Sequence, residues 1–428
     1  MKKVAVNICR IVLALTFIFS GFVKAVDPLG TQYKIHDYLV AMGFGRLLPD
    51  FTTLAFSVLL AATEFILGIC MLFAIERRAV SRLVLTIMVV MTPLTIWLAI
   101  ANPISDCGCF GDALVLTNWQ TLLKNVVLLC AAIVVWKWPL EQPRLISQAN
   151  QWIVMNYSLV FILLFISAKS LYTLPQFDFR PYHIGADIRE GWNKMMEGED
   201  SPYAELFIEG ALNQGDLTEQ ILNDKGYTFL LIAPHLEQAD DSRLDEINQM
   251  YEYALDNGYP FYCLTASGEK AMDHWRDLTG AEYPFCQTDD ITLKTIIRSN
   301  PGLVLMKDGK VIRKWSHNNL PTEAELTKKL ENSELGQMPT DTAASKILWV
   351  LTWFVLPLVL LTIADRLWAW TKWVRREKRI KNLERIVLYI LIIYQNYEKE
   401  NCSRKLEDEH ESPGWYRSCK GAERDFEG

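Results

Sequence analysis

The chain has 428 residues, half of them apolar, with 14 Trp, 16 Tyr and 19 Phe and a formal net charge of −7. The apolar residues gather in blocks, which excludes a single soluble domain. The charge averages basic clusters with an acidic stretch, and no nucleic-acid partner follows from it.

Six apolar runs are long enough to cross a bilayer, which takes about 20 residues of helix. They fall at about 4–23, 51–74, 83–100, 119–136, 152–171 and 346–367. The first continues into Phe22, Lys24 and Asp27 with no small-residue cleavage site, so it reads as a retained helix. Lys and Arg stay preferentially in the cytoplasm. Arg77, Arg78 and Arg82 follow the second run, Lys137 and Arg144 the fourth, and Lys372, Arg375, Arg376, Lys378 and Arg379 the sixth, whereas 101–118 has no Lys or Arg. The expectation is a multi-pass protein of a bacterial inner membrane, with both termini cytoplasmic and residues 172–345 periplasmic. Its first partner is the lipid bilayer, and the basic cluster after the sixth run reads as a topogenic and headgroup anchor.

The first run carries Arg10, Ser20, Gly21 and Lys24, and the second carries Glu64 in Glu64-Phe65-Ile66-Leu67-Gly68. A charged Glu is costly in hydrocarbon and should face the bundle interior. Counting along the helices puts Arg10 at a similar depth, so an Arg10–Glu64 pair is expected, with Glu64 either a proton relay or a protonated packing residue.

After the third run comes Asp106-Cys107-Gly108-Cys109-Phe110-Gly111-Asp112. A CxC pair can close into a small, strained disulfide that exchanges readily. Gly108 and Gly111 leave the backbone free. Asp106 and Asp112 should raise a neighbouring thiol pKa, which argues for an electron-passing pair rather than a strongly activated nucleophile. A structural disulfide is the competing reading. Two Cys with no nearby His supply at most half of a four-ligand site, so no metal is expected.

Together these residues resemble the DoxX-like membrane family, in particular its methylamine-utilisation MauE-type branch, over residues 1–140. The resemblance implies a four-helix module that supports thiol or disulfide handling outside the membrane. Cys107, Cys109 and Glu64 are then the candidate catalytic residues, the partner a periplasmic thiol or disulfide client, and the electron acceptor a membrane quinone.

Residues 141–172 are a connector and the fifth transmembrane helix. Residues 173–344 alternate strand and helix signals: a buried strand 226–234, a helix from Ser242 to Asn257, a strand 260–266, and a hairpin turning at Asp308-Gly309. This order resembles a thioredoxin-like domain, with Pro301 where that family places a cis-proline. It departs from the family after the first strand, where Pro234-His235-Leu236-Glu237-Gln238 stands in place of CxxC. Of the nine cysteines, Cys9, Cys70 and Cys130 lie in spans and Cys402 and Cys419 in the tail, which leaves Cys263 and Cys286 on the side of the CxC. Cys263 reads as a core thiol and Cys286 as the more exposed one, and a disulfide between them is conceivable. His235 reads as isolated.

Residues 345–370 are the sixth transmembrane helix, and 371–428 a basic juxtamembrane segment with a disordered cytoplasmic tail. The fold class expected is a polytopic α-helical membrane protein, a four-helix bundle plus two further spans, with an α/β thioredoxin-like periplasmic domain. Its expected function is thiol/disulfide redox exchange. The alternative is a non-enzymatic membrane scaffold with a structural CxC disulfide.

Overall fold

A computed structural model describes residues 2–45, 48–104, 106–211, 215–340 and 343–408. Four long apolar helices form a bundle: α1 (Lys2–Val26), α3 (Asp50–Phe73), α4 (Arg77–Ala101) and α5 (Asn118–Lys137), with α2 (Pro28–Ala41) lying against α3. Glycine sets the closest approach. A Cβ on Gly21 would stand 2.4 Å from the Phe65 nitrogen and 2.6 Å from the Ala61 oxygen, and one on Gly68 would stand 2.6 Å from the Ile18 nitrogen. Only glycine allows two helix backbones so near, and these contacts lock α1 and α3 antiparallel in one register.

That register overturns the expected Arg10–Glu64 pair. It sets Glu64 beside Ser20, ten positions beyond Arg10, or about 15 Å along the helix. Arg10 instead donates to the Pro143 carbonyl at 3.0 Å. Counting from the ends of the apolar runs fails because the two helices are staggered: Gly21 faces Ala61 and Phe65 while Gly68 faces Ile18, which sets the C-terminal end of α3 beside the middle of α1. The Asp27 carboxylate caps α2 by accepting from the Gly30 amide at 2.9 Å, with Pro28 at the first position.

The fifth apolar helix, α6 (Gln148–Tyr172), leads into the α/β domain. There α7 (Ile188–Met196) precedes β1 (Glu209–Gly210), β2 (Gly215–Asp216) and β3 (Tyr227–Ile232); α8 (Leu244–Asn257), β4 (Phe261–Thr265), α9 (Glu269–Thr279), β5 (Phe285–Gln287), α10 (Asp290–Ile296), β6 (Gly302–Lys307) and β7 (Lys310–Ser316) follow. The sheet order is β2-β1-β5-β4-β3-β6-β7, with β3, β4 and β5 parallel and β6 and β7 antiparallel to their neighbours. Every residue of β3 is buried. Both faces of the sheet are covered, by Met250 and Trp275 on one side and Trp192 and Leu293 on the other, which is why β3 reads as an unbroken apolar run. The β6–β7 turn puts Asp308 and Gly309 at φ 50° and 72°, the hairpin geometry expected of Asp-Gly. The Asn300–Pro301 peptide directly before β6 is cis. A parallel β3–α8–β4 unit joined to a hairpin through that proline is the thioredoxin-like arrangement.

Two cysteine readings fail here. Cys286 is fully buried on β5. Cys263 stands across from Phe285 and Cys286 across from Leu264, so their side chains leave opposite faces of the sheet and enter separate cores. Side chains alternate along a strand, and this excludes a disulfide between them.

The sixth apolar helix, α11 (Ala343–Glu400), rests its first turns on α6, with the Phe161 and Phe354 rings 4.5 Å apart and the Tyr157 hydroxyl donating to the Trp353 carbonyl. Both helices pass through a π turn at this contact, Phe161–Ala168 and Leu351–Val355. Residues 360–408 belong to a separate unit and are helical to Asp408. Over 371–408 Lys, Arg, Glu, Leu and Ile dominate without Gly or Pro and helical hydrogen bonds are satisfied locally, so the helix takes in the first residues, 398–408, of the stretch expected to be disordered. The tail beyond 408, with Cys419, lies outside the described residues.

Candidate functional site

The CxC loop leaves α4 through Asn102, in left-handed backbone, and enters α5 through a Thr117–Gln120 capping box. Phe110 anchors it, with its ring 5.3 Å from Phe19 and under the Lys124 ammonium at 4.1 Å. Gly108 and Gly111 have φ of 65° and 50°, conformations that a side chain would strain. Two helices hold the peptide between them. The Tyr38 hydroxyl of α2 donates to the Cys107 carbonyl at 2.7 Å, the Lys24 ammonium of α1 donates to the Cys109 carbonyl at 2.8 Å, and Ser20 reaches that same carbonyl at 2.8 Å.

Both cysteines are free thiols, Cys107 buried and Cys109 half-buried. They are unequal. A hydrogen bond from Cys109, aided by the Tyr38 hydroxyl and by the charges of Lys124 and Lys24, outweighs burial and lowers Cys107 from the ordinary thiol value. The same hydrogen bond, with burial, pushes Cys109 well above the ordinary thiol value. The flanking carboxylates are compensated. Lys34 binds Asp106 at 2.6 Å, the Gly108 amide donates to Asp106 at 3.0 Å, and Arg298 stands 3.6 Å from Asp112, so neither carboxylate acts on the thiols uncompensated.

Beneath the loop, Glu64 is buried and paired. Its Oε2 accepts from Lys24 Nζ at 2.7 Å and from Ser20 Oγ at 2.7 Å, and Lys24 also donates to Ser20 at 2.6 Å. The serine has one proton to offer to either Glu64 or the Cys109 carbonyl, whereas the ammonium serves all three acceptors at once. Glu64 is thus joined to Cys109 through Lys24, a residue whose role the sequence left unread. Its signal was a second charge in the same apolar setting as Glu64.

Residues 2–137 match the family model of the methylamine utilisation protein MauE. The match takes in α1 to α5 and the whole CxC loop. It leaves the α/β domain and the last two apolar helices outside.

The α/β domain meets the MauE-matching module at Arg298. Its Nε lies 3.1 and 2.9 Å from the two Asp27 oxygens, its Nη2 is 2.9 Å from Oδ2, and its guanidinium covers the Tyr33 ring at 5.3 Å. Beside this contact opens a cleft of about 390 Å³, walled by Tyr33 and Asp37 of α2, Gly108 and Gly111 of the loop, and Phe177 and Lys294. Pro301 stands three residues past Arg298. The neighbouring Asn300 donates to the His235 carbonyl at 2.8 Å, and the His235 ring, far from isolated, lies 3.1 Å from Asp290. Cys107, Gly108, Cys109, Gly111 and Glu64 come together; Arg10, Cys263 and Cys286 lie elsewhere. Among the described residues no group of three or more His, Cys, Asp or Glu side chains is arranged to hold a metal ion.

Among solved structures, the solution structure of a candidate protein disulfide isomerase from Bacteroides thetaiotaomicron is similar to this chain at 12% identity, covering 27% of this chain and 76% of its own, with a TM-score of 0.21. No curated protein matches the chain.

Proposed function

We propose that this is a bacterial inner-membrane thiol/disulfide redox protein that passes electrons or disulfides between a periplasmic client and the membrane through Cys107 and Cys109. The observation that carries the reading is the setting of the pair: two thiols one residue apart in a loop whose carbonyls are held by Tyr38 and Lys24, with the Lys124 ammonium over the neighbouring Phe110 ring. Nearby positive charge favours the thiolate, the form that attacks a disulfide.

In the reducing direction, the Cys107 thiolate attacks a client disulfide, forming a mixed disulfide and releasing one client thiolate. Cys109 then gives up its proton and attacks the Cys107 sulfur, and the second client thiolate leaves. Two electrons pass to the client, and the CxC is left as a disulfide. The reverse sequence oxidises a client dithiol. Where the pair works as an oxidase, a membrane quinone is the acceptor this reading calls for; Phe19, exposed on α1 and packed on Phe110, offers an apolar approach from the bilayer.

Glu64 balances the Lys24 charge beneath the loop, and the α/β domain, lacking CxxC and docked through Arg298, positions the client. The basic connections after α3, α5 and the start of α11 support cytoplasmic termini, with residues 172–345 periplasmic.

Thiol trapping in membranes across a glutathione series tests the reading, with Cys107→Ser and Cys109→Ser as controls. A reversible transition at about −120 to −250 mV is expected. A bond that resists reduction below about −300 mV would overturn it in favour of a structural crosslink and a membrane scaffold.

A further inference from the structure

Lys24 touches both halves of the site. Its ammonium, 7% exposed, binds the Glu64 carboxylate from one side and the Cys109 carbonyl from the other. No other cation reaches the CxC backbone in this way among the described residues: Lys124 stands over the Phe110 ring, and Lys34 is held by Asp106. A buried ammonium with a single carboxylate partner is balanced in charge but directional in field, because the positive end lies nearer the loop and the negative end deeper in the bundle.

We propose that Lys24 is a positioning residue for the dithiol: it fixes the Cys109 peptide and turns the buried Lys24–Glu64 pair toward the CxC loop positive end first. The inference deepens the redox reading above and rests on it. Cys109 in the loop, Tyr38 on α2, Lys124 on α5 and Lys24 on α1 act on the Cys107 thiol, and Asp106, next to it in the loop, is held by Lys34 of α2. Tyr38 has one hydroxyl proton, shared between the Cys107 carbonyl and its thiol, so it cannot replace a full charge. Losing Lys24 leaves Lys124 as the remaining cation of the set and frees the carbonyl that orients Cys109.

The arrangement makes opposite predictions for the two members of the pair. Removing the positive end raises the Cys107 titration, whereas removing the negative end leaves Lys24 unopposed and lowers it. A purely structural pair would loosen the loop equally from either side, and both changes would move the titration in the same direction.

The experiment measures the pH dependence of iodoacetamide modification of Cys107, read by mass spectrometry, in the full chain kept reduced in native membranes. Lys24→Met should move the midpoint up by about one pH unit, the low end for loss of one nearby charge. Glu64→Gln should move it down, and Lys24→Arg should hold it near the parent value. Should Lys24→Met leave a bare buried carboxylate and fail to accumulate, the double variant Lys24→Met with Glu64→Gln replaces it, with a midpoint above that of Glu64→Gln alone. Shifts of the same sign in Lys24→Met and Glu64→Gln, or a double variant indistinguishable from Glu64→Gln, would overturn the proposal. The midpoint reports the acidity of Cys107 whether or not a client is exchanged, so this test and the glutathione titration fail separately.

Discussion

Replacing Arg298 with Met should undock the α/β domain from the CxC loop without unfolding it. The guanidinium is 9% exposed and meets both Asp27 oxygens within 3.1 Å, with Asp112 at 3.6 Å. Removing one partner of a fully buried ion pair costs about 3–5 kcal/mol. Here the Asp27 side chain is 20% exposed and that of Asp112 is 41% exposed, so water takes over part of the lost solvation and the cost falls below that range, to about 2–3 kcal/mol. At about 1.4 kcal/mol per tenfold, the undocked population rises about 30- to 150-fold. Hydrogen exchange on the solubilised full chain reads this directly. Peptides covering 27–38 and 290–300 should lose protection by that factor, while the β3 peptide should be unchanged, since its amides are tied into the middle of the sheet. Arg298→Lys should recover part of the protection, because an ammonium keeps the charge but loses the two-point contact. Unaltered exchange at 27–38 in Arg298→Met would refute the assignment of Arg298 as the docking residue.

Gly21→Ala places a methyl group 2.4 Å from the Phe65 nitrogen, a backbone atom that cannot give way cheaply. The expected cost is about 1–3 kcal/mol, measured as a lower melting temperature in detergent. Because the change pushes α1 from α3, Lys24 also draws away from Glu64, and the Cys107 alkylation midpoint should shift together with stability; a midpoint unmoved in a destabilised variant would separate the two. A third prediction concerns acid. Burial pushes the Asp178 carboxyl up, but the charges of Lys314 and Arg180 outweigh it and hold it at about 2. Since this value lies below that of the unfolded chain, the stabilisation of about 2 kcal/mol is full above about pH 4 and lost as pH falls toward 2. Lys314 has the opposite sign: burial, opposed by Asp178, brings it down to about 8, so stability rises as pH climbs from there toward the ordinary lysine value. Asp178→Asn should abolish the acid-sensitive part and push Lys314 lower still, which makes stability climb across neutral pH. Urea midpoints followed by tryptophan fluorescence from pH 3 to 9 check this, and parallel curves for parent and variant would refute it.

The spans were legible because a bilayer demands long, nearly uncharged helices, and each run in the sequence became one helix. The hairpin and the β3–α8–β4 unit were legible for a similar reason, as Asp308-Gly309 and the apolar run before Pro234 depend on neighbours in sequence. What stayed hidden depends on register between distant segments. Arg10 and Lys24 are both cations in α1, and only the glycine contacts at Gly21 and Gly68 decide which of them faces Glu64. The compensation at the CxC was hidden for the same reason, because the partners of Asp106 and Asp112 lie on α2 and in the α/β domain. Cys286 follows a Pro-Phe step that suggests a loop, yet pairing of β5 with β4 and β1 draws it inside. The short helix α2 went unread because it neither spans a membrane nor carries a strong apolar stripe, although it supplies Tyr38, Tyr33 and Lys34.

The contact between α6 and the first turns of α11 has a consequence for the segment between them. The α/β domain begins where one spanning helix ends and finishes where the other begins, and aromatic stacking at Phe161 and Phe354 holds these helices side by side. Were the domain to unfold, its chain would form a closed loop pinned at both feet rather than two free strands. Closing a loop of more than a hundred residues removes chain entropy worth on the order of 5 kcal/mol from the unfolded state, by the same reasoning that applies to a crosslink. The membrane helices thus act as a staple, and cutting the chain at one foot should weaken the sheet even though no contact within it is touched.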